Sequence, residues 1–567
     1  MSKNYISEKF VDFFKKNREI LDSLCFEYAE KYPDLGKYFK LFDSNTYDPE
    51  TERLMQSFCF MLSRLDLNID HQSCIEERTN FLGLYPELMR ILPAYAMVQF
   101  FVKPDLFEKE SNLGIYKENV FSIKNQYEKI FKFKSMCHKK FLFHVIESVR
   151  YLNRFSPHCH QNFSHIEINL NLNLKDSKKI VFYVNASLEN AFHIMDQIAN
   201  KNLRCYAFIN NRKIQINKDY LCCEFDFEHY LNLKSSNNNI YCLFDFFNYI
   251  KKHLFFSIDL TKYTFTENNL KIVIETANMD EDFEKNFKEN ILCLNVFPLI
   301  NIFYEKRLIY SLDKNEEKNI FSLEENHNKK EELIGVASVS IEEKRSQEIL
   351  KMFSLNDYCT KKNRPDTSKQ FSWTELGWNF DRTKFDFQIV IVDPDVKVEE
   401  DMFKITPHFI YSEGLSANEL SQGAMVDKKF MSKMSHIEQV EFLNFNPSFS
   451  SLFDSKPEWR ATNKDLSIEN LAEELIFENR DWVLFLNKML DSLCQDTTNK
   501  LVFRKALDSL VWEKHELYRD HRTCPMTEIK IVKKDKKYNG GIYLFEFLLK
   551  YISLVNVMEL ETTAKIL

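Results

Sequence analysis

The sequence predicts an α+β multidomain protein: an N-terminal helical bundle, β-rich mixed middle domains and a mixed helical C-terminal part. Three observations carry this. Apolar residues recur at helical spacing over roughly the first ninety positions. From Ile91 onward, short runs alternate with period two or are continuously apolar, with helical stretches between them. The chain has 567 residues, of which 44% are hydrophobic and 28% charged, enough for several folded cores.

The first helix follows from angular position. At about 100° per residue, Phe10, Phe13, Phe14, Ile20, Leu21, Leu24, Cys25 and Tyr28 share a stripe about 140° wide, and Lys15, Lys16 and Glu30 fall outside it. Tyr32-Pro33 ends it. Asp48-Pro49-Glu50 then supplies a capping side chain, a proline at the first helical position and an early acid. The helix it starts carries Leu54, Met55, Phe58, Met61, Leu62, Leu65 and Ile69 on a stripe of about 120°. A third helix is expected from about Cys74 to Arg90. Stripes this apolar bury against each other or against another chain, and periodicity leaves both open.

Pro93 and the run Ala94 to Val102 open the β-rich part, closed by Pro104. Ile166 to Asn173 alternates as a half-buried strand should, with Ile180 to Val184 as its expected partner. Ser187 to Asn200 reads as a helix and Leu203 to Ile209 as a strand. Residues Asp313 to Glu332 are charged and read as a surface linker or loop, as does Lys361 to Gln370. Gly335 to Ile341 and Phe385 to Val392 read as strands of a second β-rich unit. Beyond about Glu458 helices return, over Ala472 to Leu493 and Asn499 to Trp512, and the last element is Tyr543 to Val557. The expected division is therefore 1–92 helical, 93–312 mixed α/β, 313–334 charged linker, 335–457 β-rich and 458–567 helical or mixed.

Composition excludes several function classes. A formal net charge of -8 supplies no basic field for nucleic acid. Glycine occurs nine times, only Gly540 and Gly541 are adjacent, and neither Walker A nor G-x-G-x-x-G occurs, so phosphate-cradling loops of those kinds are disfavoured. The 13 cysteines contain no C-x-x-C pair and fit reduced cytosolic thiols. The start, Met1-Ser2-Lys3-Asn4-Tyr5, lacks an apolar stretch, so no signal peptide is expected. Gly541 to Met558 is apolar enough to suggest a membrane span, but Glu546 and Lys550 at its middle make it a core element instead.

Candidate chemistry is sparse. Cys137-His138, His144, His158-Cys159-His160 and His165 have the ligand types of a zinc site but not its paired spacing, so no metal is expected. Ile389 to Asp395 is an apolar strand ending in D-x-D, the form that holds a divalent cation in sugar-nucleotide transferases. Asp393 and Asp395 are thus the residues of the alternative enzymatic reading, against a plain turn at Pro394. A secreted effector is the other alternative. No G-x-S-x-G, H-E-x-x-H or EF-hand loop occurs; no catalytic residue and no cofactor is expected, and the chain reads as a non-enzyme. The basic runs Val532 to Lys537 and Lys361-Lys362 to Arg364 read as solvated loops.

A resemblance gives these observations a direction. Phe26-x-x-x-Glu30-x-Tyr32-Pro33 is followed by Asp48-Pro49-x-x-Glu52-Arg53-Leu54-x-x-x-Phe58-x-Phe60-x-x-x-Arg64-Leu65. Leu84-Tyr85-Pro86 and Leu92-Pro93-Ala94-Tyr95-Ala96-Met97-Val98-Gln99-Phe100 come next. In order and spacing these resemble the opening of the TssF (ImpG/VasA) family of the type VI secretion baseplate. Asn295-Val296-Phe297-Pro298-Leu299-Ile300-Asn301-Ile302-Phe303-Tyr304-Glu305 is similar to the family's Phe-Pro-x-x-Asn-x-Phe-Glu signature, with Tyr304 inserted before the acid. Ile240 to Leu260 resembles its phenylalanine-rich segment; Pro447-Ser448, Trp459-Arg460 and Leu466-Ser467 its late tryptophan motif; and Leu544 to Asn556 its closing segment. Ser416-Ala417-Asn418-Glu419-Leu420 stands where the family often has Thr-Asn-Arg-Asp-Leu-Pro, and Val555-Asn556-Val557 where Ile-Asn-Ser-Phe is usual.

The resemblance implies assembly rather than catalysis. It implies a wedge subunit of a contractile injection system, pairing with a second copy of itself and clasping a TssG-like chain through helical bundles around a VgrG-like spike hub. TssK-like and TssE-like components would be further partners, and the wedges a platform for tube and sheath. It implies a cytoplasmic place in a baseplate docked at the inner face of the bacterial cytoplasmic membrane, with no nucleic acid bound and no direct membrane insertion. The residues expected at such contacts are Phe10, Phe13, Phe14, Leu21, Leu24 and Tyr28 on the first helix, and Leu54, Phe58, Met61, Leu62, Leu65 and Ile69 on the second.

Overall fold

In the computed structural model the protein is an α+β chain in which helices open the sequence and, among the described residues, six sheets follow. The structure describes residues 8–41, 48–84, 90–102, 114–116, 119–136, 138–156, 161–173, 178–199, 204–209, 212–224, 239–264, 268–276, 283, 287–288, 290–306, 310–311, 319–324, 331–343, 349–355, 371–378, 384–392, 403–422, 425–426, 437–450, 482–508, 510–517, 526–533, 540–554 and 565–566. It divides into two compact units, Met1–Leu84 with Glu458–Thr462, and Tyr85–Pro457 with Asn463–Leu567.

The first unit consists of α1 (Glu8–Lys31), the short α2 (Pro33–Tyr38) and α3 (Pro49–Leu84). Helix α1 stops at Lys31, before Tyr32-Pro33 as expected, and Pro33 takes the first position of a new short helix, α2, where its missing N–H is no loss. The Asp48 signal works as expected, its carboxylate accepting from the Glu50 N–H at 3.2 Å. The separate helix expected from Cys74 is instead the continuation of α3, because no proline or glycine interrupts the chain between Pro49 and Gly83.

In the second unit, a six-stranded antiparallel sheet runs in the order Met425–Val426, Val120–Lys124, Ile130–Ser135, Val296–Ile300, Tyr95–Val102, Ile437–Asn446. Its core is largely phenylalanine, including Phe100, Phe121, Phe131, Phe133, Phe141 and Phe297. A five-stranded sheet orders Arg212–Ile216, Cys205–Ile209, Asn269–Thr276, Gln161–Asn171 and Val145–Ser156; a four-stranded one orders Leu221–Glu224, Phe255–Asp259, Lys179–Val184 and Leu292–Cys293. The alternation in Asn269–Thr276 is the pleat at work, every second residue from Leu270 to Thr276 being buried.

The pairing expected between Ile166–Asn173 and Ile180–Val184 does not form. Gln161–Asn171 already has neighbours on both edges, Val145–Ser156 and Asn269–Thr276, so Lys179–Val184 joins the other sheet between Phe255–Asp259 and Leu292–Cys293.

The largest sheet has eight strands: Phe303–Lys306, Phe403–Ser412, Glu332–Glu343, Ile349–Ser354, Phe371–Trp378, Lys384–Ile391 and Ile320–Glu324 in order, with Tyr310–Ser311 also on Phe403–Ser412. Ile349–Ser354 and Phe371–Trp378 form its parallel pair. Ile320–Glu324 lies inside the run expected as a charged linker: Leu323 is buried in the sheet's core, and apolar burial outweighs the charge around it. A buried ion pair joins Arg90 to Glu375, which also accepts from the Val336 N–H. Gly335 fits beside them because a Cβ there would approach both charged side chains within 3.0 Å.

Toward the C-terminus, helices span Trp482–Leu493 and Thr497–Asp508, and the expected continuation to Trp512 is corrected by a strand at Leu510–Leu517 paired with Met526–Lys533. The final helix, Gly541–Leu554, is held at its start by Asp196 of the helix Leu188–Ala199, whose carboxylate accepts from the Gly540 N–H at 2.7 Å and the Tyr543 N–H at 2.9 Å. Gly540 has φ +100, and a Cβ would meet the Phe192 ring. Among the described residues no helix is long and apolar enough to cross a membrane.

Candidate protein–protein interface

Helices α1 and α3 cover each other along a narrow seam. Ala29, Met55, Cys59 and Ser63 are buried in it, and Phe10 meets Phe60 edge-on with ring centroids 5.2 Å apart. Much of the seam is polar. Asn17 donates to Ser63 Oγ at 3.2 Å and to Asp66 Oδ2 at 2.7 Å, and Arg18 donates to Asp22 at 3.2 Å and to Glu52 at 2.7 Å. The hydrogen bond from Arg18 holds the Glu52 carboxyl below its usual range, against burial acting the other way. Burial pushes the Cys25 and Cys59 thiols up, so both stay protonated at neutral pH.

The apolar stripe points elsewhere. Met55, Cys59 and Ser63 follow one another at four-residue spacing, and the centre of that covered face lies about 120° around α3 from the centre of Leu54, Phe58, Met61, Leu65 and Ile69. Those five are exposed at 72%, 48%, 57%, 55% and 61%. Leu54, Phe58, Met61 and Leu65 are spaced four, three and four apart, the seam spacing of a helix that receives another helix. On α1, Leu24 and Tyr28 are exposed at 54% and 44%, with Ile20 one turn before. Of the remaining residues expected at contacts, Phe10, Phe13, Phe14, Leu21 and Leu62 are half-buried. Met55, which shares the apolar stripe in sequence, belongs to the seam within the unit.

Single exposed apolar side chains are ordinary on a protein surface; a row of them on adjacent turns makes this face a candidate for a contact. Hydrophobic burial is non-directional, so such a row does not specify chemistry. It supplies affinity.

Cys137, His158, Cys159, His160, Asp393, Asp395 and the run Lys361 to Arg364 lie outside the described residues, as do Trp459, Arg460, Leu466 and Ser467. His144 Nδ1 accepts the Asn173 N–H at 3.1 Å, and His138 packs against Tyr116. Among the described residues no group of three or more His, Cys, Asp or Glu is placed to hold a metal ion. Of the basic run Val532 to Lys537, Val532 and Lys533 end a strand and the rest lies outside the described residues.

The motif residues downstream are joints. Asn301, fully buried, donates to the Lys132 carbonyl at 3.0 Å and to Glu413, and accepts from Ser412 Oγ at 2.8 Å and the Glu413 N–H at 3.0 Å. It thereby ties the six-stranded sheet to the eight-stranded one. Asn295, at φ +55, exchanges bonds of 2.7 Å with both backbone groups of Leu142. Asn418 accepts from the Ser448 N–H at 2.6 Å and donates to its carbonyl at 3.1 Å, and Ser448 Oγ reaches the Leu92 carbonyl at 2.9 Å. Sequence reasoning missed Asp196, Arg90 and Glu375 as joints; Arg90 had one signal, a lone charge running directly into Ile91-Leu92-Pro93.

Comparison with known proteins adds an independent line. The family model described as type VI secretion system, TssF, matches residues 6–463. A chain in the cryo-electron-microscopy structure of the type VI secretion system TssK-TssF-TssG baseplate subcomplex is 13% identical, with a TM-score of 0.56 over 89% of this chain and 94% of that one. A chain of the type VI secretion system baseplate complex is 12% identical, with a TM-score of 0.43 over 96% and 94%. No curated protein matches significantly.

Proposed function

From the premise that this chain belongs to the TssF family of the type VI secretion system, whose model matches residues 6–463, we propose that it is a structural, non-enzymatic baseplate subunit. It clasps a TssG-like partner through the outward faces of α1 and α3. The wedge so formed surrounds a VgrG-like spike hub, contacts TssK-like and TssE-like components and a second copy of this chain, and supports tube and sheath assembly. Its place is the cytoplasmic side of the inner membrane, within the docked baseplate.

The observation that carries this reading is the exposed row Leu54, Phe58, Met61 and Leu65 on α3, together with Leu24 and Tyr28 exposed on α1, in a chain of this family. Burying such side chains contributes about 25 cal/mol per Å² of apolar area before association costs are subtracted. Polar residues at the edges of the row set the register. The row is expected to fit a helical partner, because its four-three spacing accepts knobs from another helix.

The test is co-purification. Leu24→Asp combined with Phe58→Asp places one charge on the exposed apolar face of each helix without touching the buried seam, and is expected to abolish recovery of the TssG-like partner while the far-UV circular dichroism melt stays that of the parent. Full recovery of the partner overturns the assignment of this face.

A further inference from the structure

A cleft of about 500 Å³ opens within the second unit. Its walls come from Tyr95–Val102, Ile437–Asn446, the start of Val145–Ser156 and the end of Leu292–Cys293. The floor is apolar, with Val102, Phe143, Leu292 and Leu294 lining it. Burial, with the Glu441 carboxylate close by, pushes the Cys293 thiol up to about 12, so the floor carries no charge at neutral pH. The described lining contains no lysine or arginine, and its two carboxylates, Glu438 and Glu441, are exposed on one strand at the rim.

That strand is bulged twice. Val102 pairs with Ile437 and Phe101 with Gln439, leaving Glu438 as the extra residue; Met97 pairs with Asn444 and Val98 with Phe442, leaving Leu443. A bulge re-aims the side chain it inserts. Both extra residues line the cleft, and so does Glu441 between them. Two irregularities in ten residues of strand therefore converge on one place.

At the mouth, Val145 is 59% exposed and Phe101 37%. Val145–Ser156 is an outermost strand of its sheet, so among the described strands nothing pairs with its outer edge. Such an edge receives another backbone, and alternate side chains of the incoming chain then fall into or out of the groove beside it.

We propose that this cleft docks an extended peptide segment of a partner protein, carrying a lysine or arginine between apolar residues. The proposal goes beyond the wedge reading and uses none of its contact residues. The cation meets Glu438 and Glu441, the apolar neighbours cover the floor, and the main chain lies along the open strand edge. An anionic ligand is disfavoured: no lysine or arginine is among the described residues lining the cleft, and the described rim is negative.

The test pans a random peptide display library on the immobilised full-length chain, then measures the enriched peptides by fluorescence anisotropy. Enriched sequences are expected to place Lys or Arg between apolar residues, and Glu438→Gln with Glu441→Gln should weaken them about tenfold. Both positions are exposed and the replacements are near-isosteric, so an unchanged melt is the folding control. The Leu24→Asp, Phe58→Asp variant should bind the same peptides as the parent does. Absence of enrichment, enrichment of acidic or uncharged sequences, or binding indifferent to the two carboxylates overturns the proposal. Binding of spermine with the same carboxylate dependence, where basic peptides fail, overturns the peptide class.

Discussion

Phe58 and Met55 stand three residues apart on α3, and the structure assigns them opposite consequences. Met55 is 7% exposed in the seam against α1, and Phe58 is 48% exposed on the outward row. A phenylalanine buries on the order of 200 Å² when fully covered, so about half remains to be covered by a partner. At about 25 cal/mol per Å², Phe58→Ala forfeits about 2 kcal/mol of binding, or about thirtyfold in Kd for the TssG-like partner. It leaves the seam intact. Met55→Ala removes buried methylenes and is expected to cost about 2 to 5 kcal/mol of folding stability in the helical unit. The assay pairs isothermal titration with the partner against a far-UV circular dichroism melt. Phe58→Ala should shift the Kd and not the melt; Met55→Ala should shift the melt first. A parent-like Kd for Phe58→Ala, or a melt lowered as far as that of Met55→Ala, refutes the assignment of the two faces.

Asp196→Ala removes two charge-assisted hydrogen bonds at the start of the helix Gly541–Leu554, a loss of about 3 kcal/mol, and hydrogen exchange of that helix should quicken about a hundredfold; unchanged exchange would show that the carboxylate does not hold it. Asn301→Leu removes the bonds to the Lys132 carbonyl, Ser412 Oγ and Glu413, so the first thermal transition should fall by an amount corresponding to about 3 kcal/mol; a parent-like melt refutes its role as a joint. Burial raises the Glu413 carboxyl above its unfolded value of about 4.3, so the stability it contributes is full below that pH and is lost as pH rises through the folded value. Glu413→Gln should therefore gain in melting temperature relative to the parent on going from about pH 4 to neutral, and a difference independent of pH refutes this.

Much of the fold was legible because its signals are local. The Asp48-Pro49 start and the stripe on α3 depend on neighbours three or four residues away, and the alternation in Ile166 to Asn173 on neighbours two away. Strand pairing failed because it is non-local. Ile180–Val184 is a good strand by itself, but its partner was decided by Asn269–Thr276 already occupying the edge it would have used. The candidate interface was legible as an apolar stripe and not as an interface, since the same residues could equally have formed the seam.

By itself, then, the sequence determined the opening helices and several of the strands, and which residues of α1 and α3 are apolar enough to need covering; it misread Ile320–Glu324 as a linker and Leu510–Trp512 as helix. Tertiary structure alone decided that the chain covers Met55, Cys59 and Ser63 and leaves Leu54, Phe58, Met61 and Leu65 to solvent, that two bulges turn Glu438 and Leu443 into one cleft, and that Asp196 holds a helix 344 residues away. The physical reason is that hydrophobic burial is proportional to area and indifferent to partner. Periodicity therefore reports that a face must be buried, while the partner is chosen by long-range competition among faces and edges that no local window contains.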